Sequence, residues 1–314
     1  MKSFPFSVLS RLCRLESAHA RHNSSELDSA LAYPQISVFR FPFSVFRFRI
    51  MKLLALDIDG TLTRPDGTIS ERTIKIVKDL QSRGVILCIA SGRPPLGIMP
   101  VAKLLGMDEF GGYIIGYNGG SLVEYKSGEE LYTATLPAEA VPVVVECGRR
   151  EGHTMLTYVG NEICTENALD PYVNISHQRN GLPIREVSDF LHDLPSSLPK
   201  CIITGDPCEM PALQREVSAR LYGIADAYLS DAFFLEVVRK GIDKADALMR
   251  LLDHLHLTHE DLVAAGDAHN DMGMIRLAAL GIAMGNAHPD VREVADIVAP
   301  VAEQDGLAQV LETL

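Results

Sequence analysis

The chain has 314 residues, 47% of them apolar and 22% charged, with a net charge of −12. That is enough chain for two globular domains. The acidity argues against a nucleic-acid-coating surface, and no apolar stretch approaches the ~18 residues that a membrane span needs. The six cysteines (Cys13, Cys88, Cys147, Cys164, Cys201 and Cys208) form no CxxC and no Cys/His cluster. Buried thiols in a reducing, cytoplasmic setting are therefore expected, with neither a disulfide framework nor a zinc site.

Residues 1–50 differ in kind from the rest. They carry seven Lys/Arg against three Asp/Glu and seven of the eleven phenylalanines, and FPFSV occurs in them twice, at Phe4–Val8 and Phe41–Val45. Arg11 and Arg14 interrupt the only stretch that could form the core of a secretory signal. The Arg- and Ser-rich, acid-poor composition fits a transit peptide better, but the favoured reading is a disordered or adventitious extension from an upstream start. Met51 then opens MKLLALDIDG, as a cytosolic α/β domain often begins.

From Met51, the apolar run Leu53–Ile58 predicts a buried strand feeding a tight loop at Asp59-Gly60. Ser70 can cap a helix with Ile74, Val77 and Leu80 on one face, ended by Gly84. Val85–Ala90 reads as a second strand, followed by a short helix to Leu105, a strand at Tyr113–Tyr117 and the turn Asn118-Gly119-Gly120. Strand and helix alternating at this spacing predict a doubly wound, Rossmann-like parallel sheet. A hairpin, Ser121–Tyr125 with Glu130–Thr135, follows. Residues 136–235 then mix helices (Ala138–Arg150, Pro211–Leu221) with β-type runs (Thr154–Val159, Cys201–Thr204, Ala225–Leu229). The α/β rhythm resumes with a helix from Lys244, a strand at Leu262–Ala265 and a helix near Met272–Ala279. Gly281–Met284 and Ile297–Val298 follow. The expected organisation is an α/β core over 51–135 and 236–314, split by an inserted α+β domain over 136–235.

The chemistry gathers at predicted strand ends, where open α/β sheets bind their ligands. Asp57 and Asp59 end the first strand, an arrangement suited to a nucleophile plus an oxygen-seeking divalent cation, with Gly60 freeing the backbone to wrap a phosphate. Ser91 and Gly92 end the second and offer a hydroxyl and N–H groups to phosphate oxygens. Asp267 and Asp271 follow Leu262–Ala265 as a second acidic pair suited to Mg²⁺. Lys244, opening a helix after Gly241, could neutralise a phosphoryl group. Each feature alone is also an ordinary turn, cap or solvated residue. Their joint occurrence in this order makes those readings improbable together.

In these motifs the chain resembles the haloacid dehalogenase-like superfamily, in particular the Cof-type phosphatases with the type IIB cap. DIDGTLT looks like motif I, ASGRP like motif II, Lys244 like motif III and GDAHNDMGM like motif IV. The ending AALGIAMGNAHPDVREVADIV, through Asp305-Gly306, is similar too. Ala245, where many relatives have glycine, is a departure. The resemblance implies that Asp57 attacks phosphorus to form an aspartyl-phosphate. Asp59 would protonate the leaving oxygen and then activate water, its carbonyl joining the Mg²⁺ ligands. Asp57 and Asp267 would bind the metal directly and Asp271 through water, while Ile58 and Gly92 (backbone amides), Ser91, Lys244 and Asn270 would hold the phosphoryl oxygens.

A Mg²⁺-dependent phosphatase of small phosphorylated metabolites is thus the expected function (sugar, nucleotide or cofactor phosphates), in a monomer or homodimer with no nucleic-acid or membrane partner. A phosphomutase of the phosphomannomutase-like type shares the same chemistry and is the alternative. A receiver-like phosphorylation switch would need neither Asp59 nor an inserted domain. His269, inside the fourth motif, reads as a lining or solvent-facing residue.

Overall fold

The computed structural model describes residues 51–314; the expectations for residues 1–50 lie outside the described residues. Strands β1 (Leu53–Leu56), β2 (Ile86–Ala90), β3 (Tyr113–Gly116), β4 (Ser121–Glu124) and β5 (Glu130–Thr133) come first. Next are β6 (Thr154–Val159), β7 (Glu162–Thr165), β8 (Ile184–Glu186), β9 (Cys201–Thr204), β10 (Ala225–Asp231) and β11 (Phe234–Arg239). The series closes with β12 (Leu262–Gly266), β13 (Leu280–Ala283) and β14 (Ile297–Val298). They form an eight-stranded sheet, β14-β13-β12-β1-β2-β3-β4-β5, and a six-stranded sheet, β10-β11-β9-β6-β7-β8.

The first sheet is parallel from β14 to β3 and turns antiparallel only at the β3–β4–β5 hairpins. Its central strands are apolar on every residue because both faces are covered. Leu54 and Leu56 of β1 pack with Val77 and Leu80 from the helix Glu71–Ser82, while Leu53 and Ala55 face Leu248 and Leu251 from the helix Lys244–His254. Local chemistry starts these helices where the sequence suggested. The Ser70 side chain accepts from the Thr73 amide at the first, and Asp243 accepts from the Asp246 amide at the second.

The second sheet lies between β5 and β12 in the chain. One face carries the helices Ala140–Arg150 and Met210–Arg220, packed through Val144, Leu213 and Val217 onto Met155, Cys201 and Ile203. The other face presents Leu156, Tyr158 and Ile202 to Val173, with Tyr117 of the first sheet's loops packed against them. The β-type runs expected at 154–159, 201–204 and 225–229 are strands. β7, β8, β11 and the helix Pro171–Asn180 have no counterpart among the expected elements. Phe234–Arg239 alternates poorly because all but its last residue is buried, and the Pro171 helix has no apolar stripe, with only Val173, Ser176 and Asn180 buried.

Candidate active site

The parallel arrangement delivers the four motifs to one edge. Asp57 directly follows β1, its amide bonded to the Ala265 carbonyl at 3.1 Å. Ser91 follows β2, its amide on the Ile115 carbonyl at 2.9 Å. Asp267 follows β12, and the short turn His269–Asp271 carries Asn270 and Asp271 back toward it. Lys244 enters from the opening turn of its helix and is fully buried.

These residues converge. The Lys244 ammonium donates to Asp57 Oδ1 and to Asp271 Oδ1, each at 2.6 Å. The second oxygen of Asp271 accepts from the amides of Asp267 (2.9 Å) and Ala268 (3.0 Å), so this buried carboxylate orders the loop as well as the lysine. Thr61 donates to Asp267 Oδ1 at 3.4 Å. Asn286 donates to Asp267 Oδ2 at 3.2 Å and to the Gly60 carbonyl at 2.8 Å. Gly60 has φ +86°, and a Cβ there would come within 2.2 Å of Asp267 Oδ2, so both backbone conformation and space require glycine. The Ile58 side chain is buried in the core, while its carbonyl accepts from the amides of Leu62 and Thr63, winding the loop after Asp57.

The electrostatics carry a consequence. Burial first, then the neighbouring Asp271 charge, pushes the Asp57 carboxyl up to about 8. Burial and Asp271 likewise raise Asp267 to about 6. Burial works against the charge on Lys244, but Asp271 and Asp57 outweigh it and move its pKa upward. Oxygens of Asp57, Asp267 and Asp271 lie within 4.8 Å of one another. Three carboxyl groups gather near one ammonium, and burial resists ionising all of them without a further cation. An all-oxygen donor set of this kind fits a hard divalent cation such as Mg²⁺.

Asp59 is not in that cluster. Its side chain is 62% exposed and takes a bidentate ion pair from Arg93, whose Nη1 also donates to the Arg179 carbonyl of the second-sheet region. Asn270 donates to Asn118 Oδ1 at 2.8 Å instead of pointing to a carboxylate. His269 is exposed, its Nε2 3.5 Å from Asp290 beside His288, in keeping with a solvent-facing residue. Arg93, Asn118, Thr61 and Asn286 were not singled out as site residues. All four lie inside quoted stretches (ASGRP, Asn-Gly-Gly, DIDGTLT and the ending AALGIAMGNAHPDVREVADIV), but no local pattern gives any of them a contact in the site.

One family model matches most of the chain, and solved structures share its fold. The model for haloacid dehalogenase-like hydrolases matches residues 54–311. The HMP-PP phosphatase of Yersinia pseudotuberculosis is 30% identical over 262 residues, covering 83% of this chain and 94% of that protein. The 5-amino-6-(5-phospho-D-ribitylamino)uracil phosphatase YitU of Bacillus subtilis is 26% identical over 265 residues, covering 83% and 96%. A crystal structure of a haloacid dehalogenase-like hydrolase from Bacteroides thetaiotaomicron is 44% identical with a TM-score of 0.80, covering 83% of this chain and 98% of that one. The chain belongs to the haloacid dehalogenase-like hydrolases, within their Cof-type branch. It is a phosphatase, a phosphoric monoester hydrolase, in line with relatives that are named phosphatases. Among the described residues no helix is long and apolar enough to cross a membrane.

Proposed function

We propose that this protein hydrolyses small phosphorylated metabolites with Mg²⁺ through an aspartyl-phosphate on Asp57. The observation that carries the reading is the Lys244 ammonium held between Asp57 and Asp271, with Asp267 in the same carboxylate cluster. Asp57, Asp267 and Asp271, with the carbonyl of Asp59, would hold Mg²⁺, which supplies charge neutralisation to the phosphoryl oxygens when bound.

In the first step an Asp57 oxygen bonds to phosphorus as the ester P–O bond breaks, and the departing oxygen takes a proton from the Asp59 carboxyl. In the second step water bonds to the same phosphorus and gives its proton to Asp59. The acyl-phosphate P–O bond breaks, returning Asp57 and inorganic phosphate. Lys244, Ser91, Asn270 and the amides of Ile58 and Gly92 hold the phosphoryl oxygens, so most of the rate comes from positioning and charge.

The β6–β11 sheet and its helices form, in this reading, an inserted cap whose inner surface selects the substrate. Its last strand, β11, runs on to Arg239, past the boundary at 235 expected from the sequence, because Arg239 pairs with Ala225 of β10. The relatives named as an HMP-PP phosphatase and a 5-amino-6-(5-phospho-D-ribitylamino)uracil phosphatase support a small phosphorylated metabolite as the substrate. Buried, unbridged Cys88, Cys147, Cys164 and Cys201 support a cytoplasmic setting. The test is phosphate release from a panel of sugar, nucleotide and cofactor phosphates with and without Mg²⁺. Turnover of at least one, abolished by chelation, is expected; full activity after exhaustive chelation overturns the metal role.

A further inference from the structure

The steps above leave unused a buried ion pair and the polar chain that runs from it. Lys200 immediately precedes β9 and Glu236 lies in the adjacent β11. Their Nζ and Oε2 are 2.8 Å apart, with 2% and 6% of the residues exposed. Two charges withdrawn from water this far contribute little net stability, so their placement asks for another explanation. Lys200 also donates to the Gly92 carbonyl at 3.1 Å, which sets the pair against the loop that follows β2.

From Glu236 the chain continues into the candidate site. The Tyr228 hydroxyl donates to Glu236 Oε2 at 3.3 Å. Asn118 Nδ2 donates to that hydroxyl at 2.8 Å, and Asn118 Oδ1 accepts from Asn270 Nδ2 at 2.8 Å. The direction of each bond follows from the first. A carboxylate can only accept, so Tyr228 must give it its proton and keep its oxygen as an acceptor. Asn118 must then turn Nδ2 to Tyr228 and Oδ1 to Asn270, and Asn270 must answer with its own Nδ2. Burial, then the Glu236 charge, holds the Tyr228 hydroxyl well above its ordinary pKa, so the donor persists.

Asn118 is itself immobilised. It is 6% exposed, and its backbone is left-handed (φ 57°, ψ 34°), a region asparagine tolerates. Its amide bonds the Ser91 carbonyl at 3.0 Å, and a Cβ on Gly92 would come within 3.0 Å of its Oδ1.

We propose that Asn118 is a positioning residue for Asn270, and that Glu236, acting through Tyr228, decides which way both asparagine amides face. The second sheet thereby orients a phosphoryl-contacting group on the first. The proposal rests on the contact role given to Asn270 above.

The test is a set of double-mutant cycles on the full chain with saturating Mg²⁺ and an aryl phosphate. Asn118→Ala is expected to lower kcat by about tenfold, the worth of one or two neutral hydrogen bonds, with KM little changed. Tyr228→Phe and Glu236→Gln, which free the amide of Asn118 to turn, are expected to lower kcat by about threefold each. Tyr228→Phe should cost nothing further in the Asn118→Ala background. Equal losses in both backgrounds, or an Asn118→Ala enzyme as fast as the parent, overturn the proposal, because a merely structural role is additive. If Asn118→Ala does not fold, Tyr228→Phe is paired with Asn270→Ala, and the same non-additivity is expected. Wild-type protein inert on every phosphate would sink the phosphatase reading instead. The same cycle is then read in the affinity for inorganic phosphate by calorimetry, where additive losses overturn the positioning role.

Discussion

The Arg93 guanidinium closes on both carboxylate oxygens of Asp59, with Nε at 2.9 Å and Nη2 at 2.5 Å. A bidentate fork fixes direction as well as charge, and Arg93 adds a bond to the Arg179 carbonyl at 3.1 Å. If Asp59 delivers the proton to the leaving oxygen, its aim depends on this arginine. Arg93→Ala is therefore expected to lower kcat by about tenfold on an alkyl phosphate, a modest figure because Asp59 is largely exposed. On an aryl phosphate, whose leaving group needs no proton, the loss should be smaller. Equal losses on the two substrates would remove Arg93 from the proton-transfer step.

The two motif I aspartates are separable. Asp57→Asn removes the oxygen nucleophile, so turnover and any covalent phosphate should vanish. Asp59→Asn keeps the backbone carbonyl but not the proton shuttle, and turnover should fall by roughly 10²–10⁴-fold. With an aryl phosphate the second step then suffers more than the first, and a phosphoryl adduct on the Asp57 peptide should be trapped by acid quench and seen by mass. An adduct on Asp59, or one surviving in Asp57→Asn, would reverse the roles.

Lys244 is a buried cation whose partners are two buried carboxylates. Lys244→Met leaves those carboxylates facing one another without compensation, and a loss of about 3–5 kcal/mol is expected by urea unfolding of the metal-free protein. Because the surplus negative charge grows, added Mg²⁺ should restore more stability to the variant than to the parent. A variant as stable as the parent would mean that the carboxylates simply take up protons.

The metal-free protein should also lose stability as pH rises. Asp57 moves from an ordinary 3.8 to about 8 on folding, and Asp267 from 3.8 to about 6. The folded state thus binds more protons than the unfolded chain between those values, and their stabilising effect, full below 3.8, is lost as pH climbs through about 6 and about 8. Lys244, raised further above its ordinary value, stays charged across that window and contributes no slope. Thermal unfolding from pH 5 to 8 should show a falling midpoint, flattened in Asp57→Asn and countered by Mg²⁺ most strongly at the alkaline end. A midpoint independent of pH, or one equally sloped in Asp57→Asn, would contradict the burial of these charges.

The elements that place the candidate site were legible because their causes are local. Leu53–Leu56 and Leu262–Gly266 are continuous apolar runs, as strands covered on both faces must be, and Asp57 and Asp267 stand at their ends. Ser70 and Asp243 start helices through bonds made within three residues. What no local pattern could show is which distant groups meet. Lys244 reaches Asp57 across 187 positions because β12 and β1 pair in parallel and the helix Lys244–His254 packs on the face made by Leu53 and Ala55. Lys200 and Glu236 meet only because β9 and β11 are neighbours in the second sheet, and Asn118 meets Tyr228 only where that sheet's inner face lies on the first sheet's loops. Sequence alone determined the strand-end carboxylates, hydroxyl and lysine, since hydrophobic period and capping act over a few residues. The pairing of charges and the direction of the buried hydrogen bonds were decided by strand order and sheet contact, which act across the whole chain.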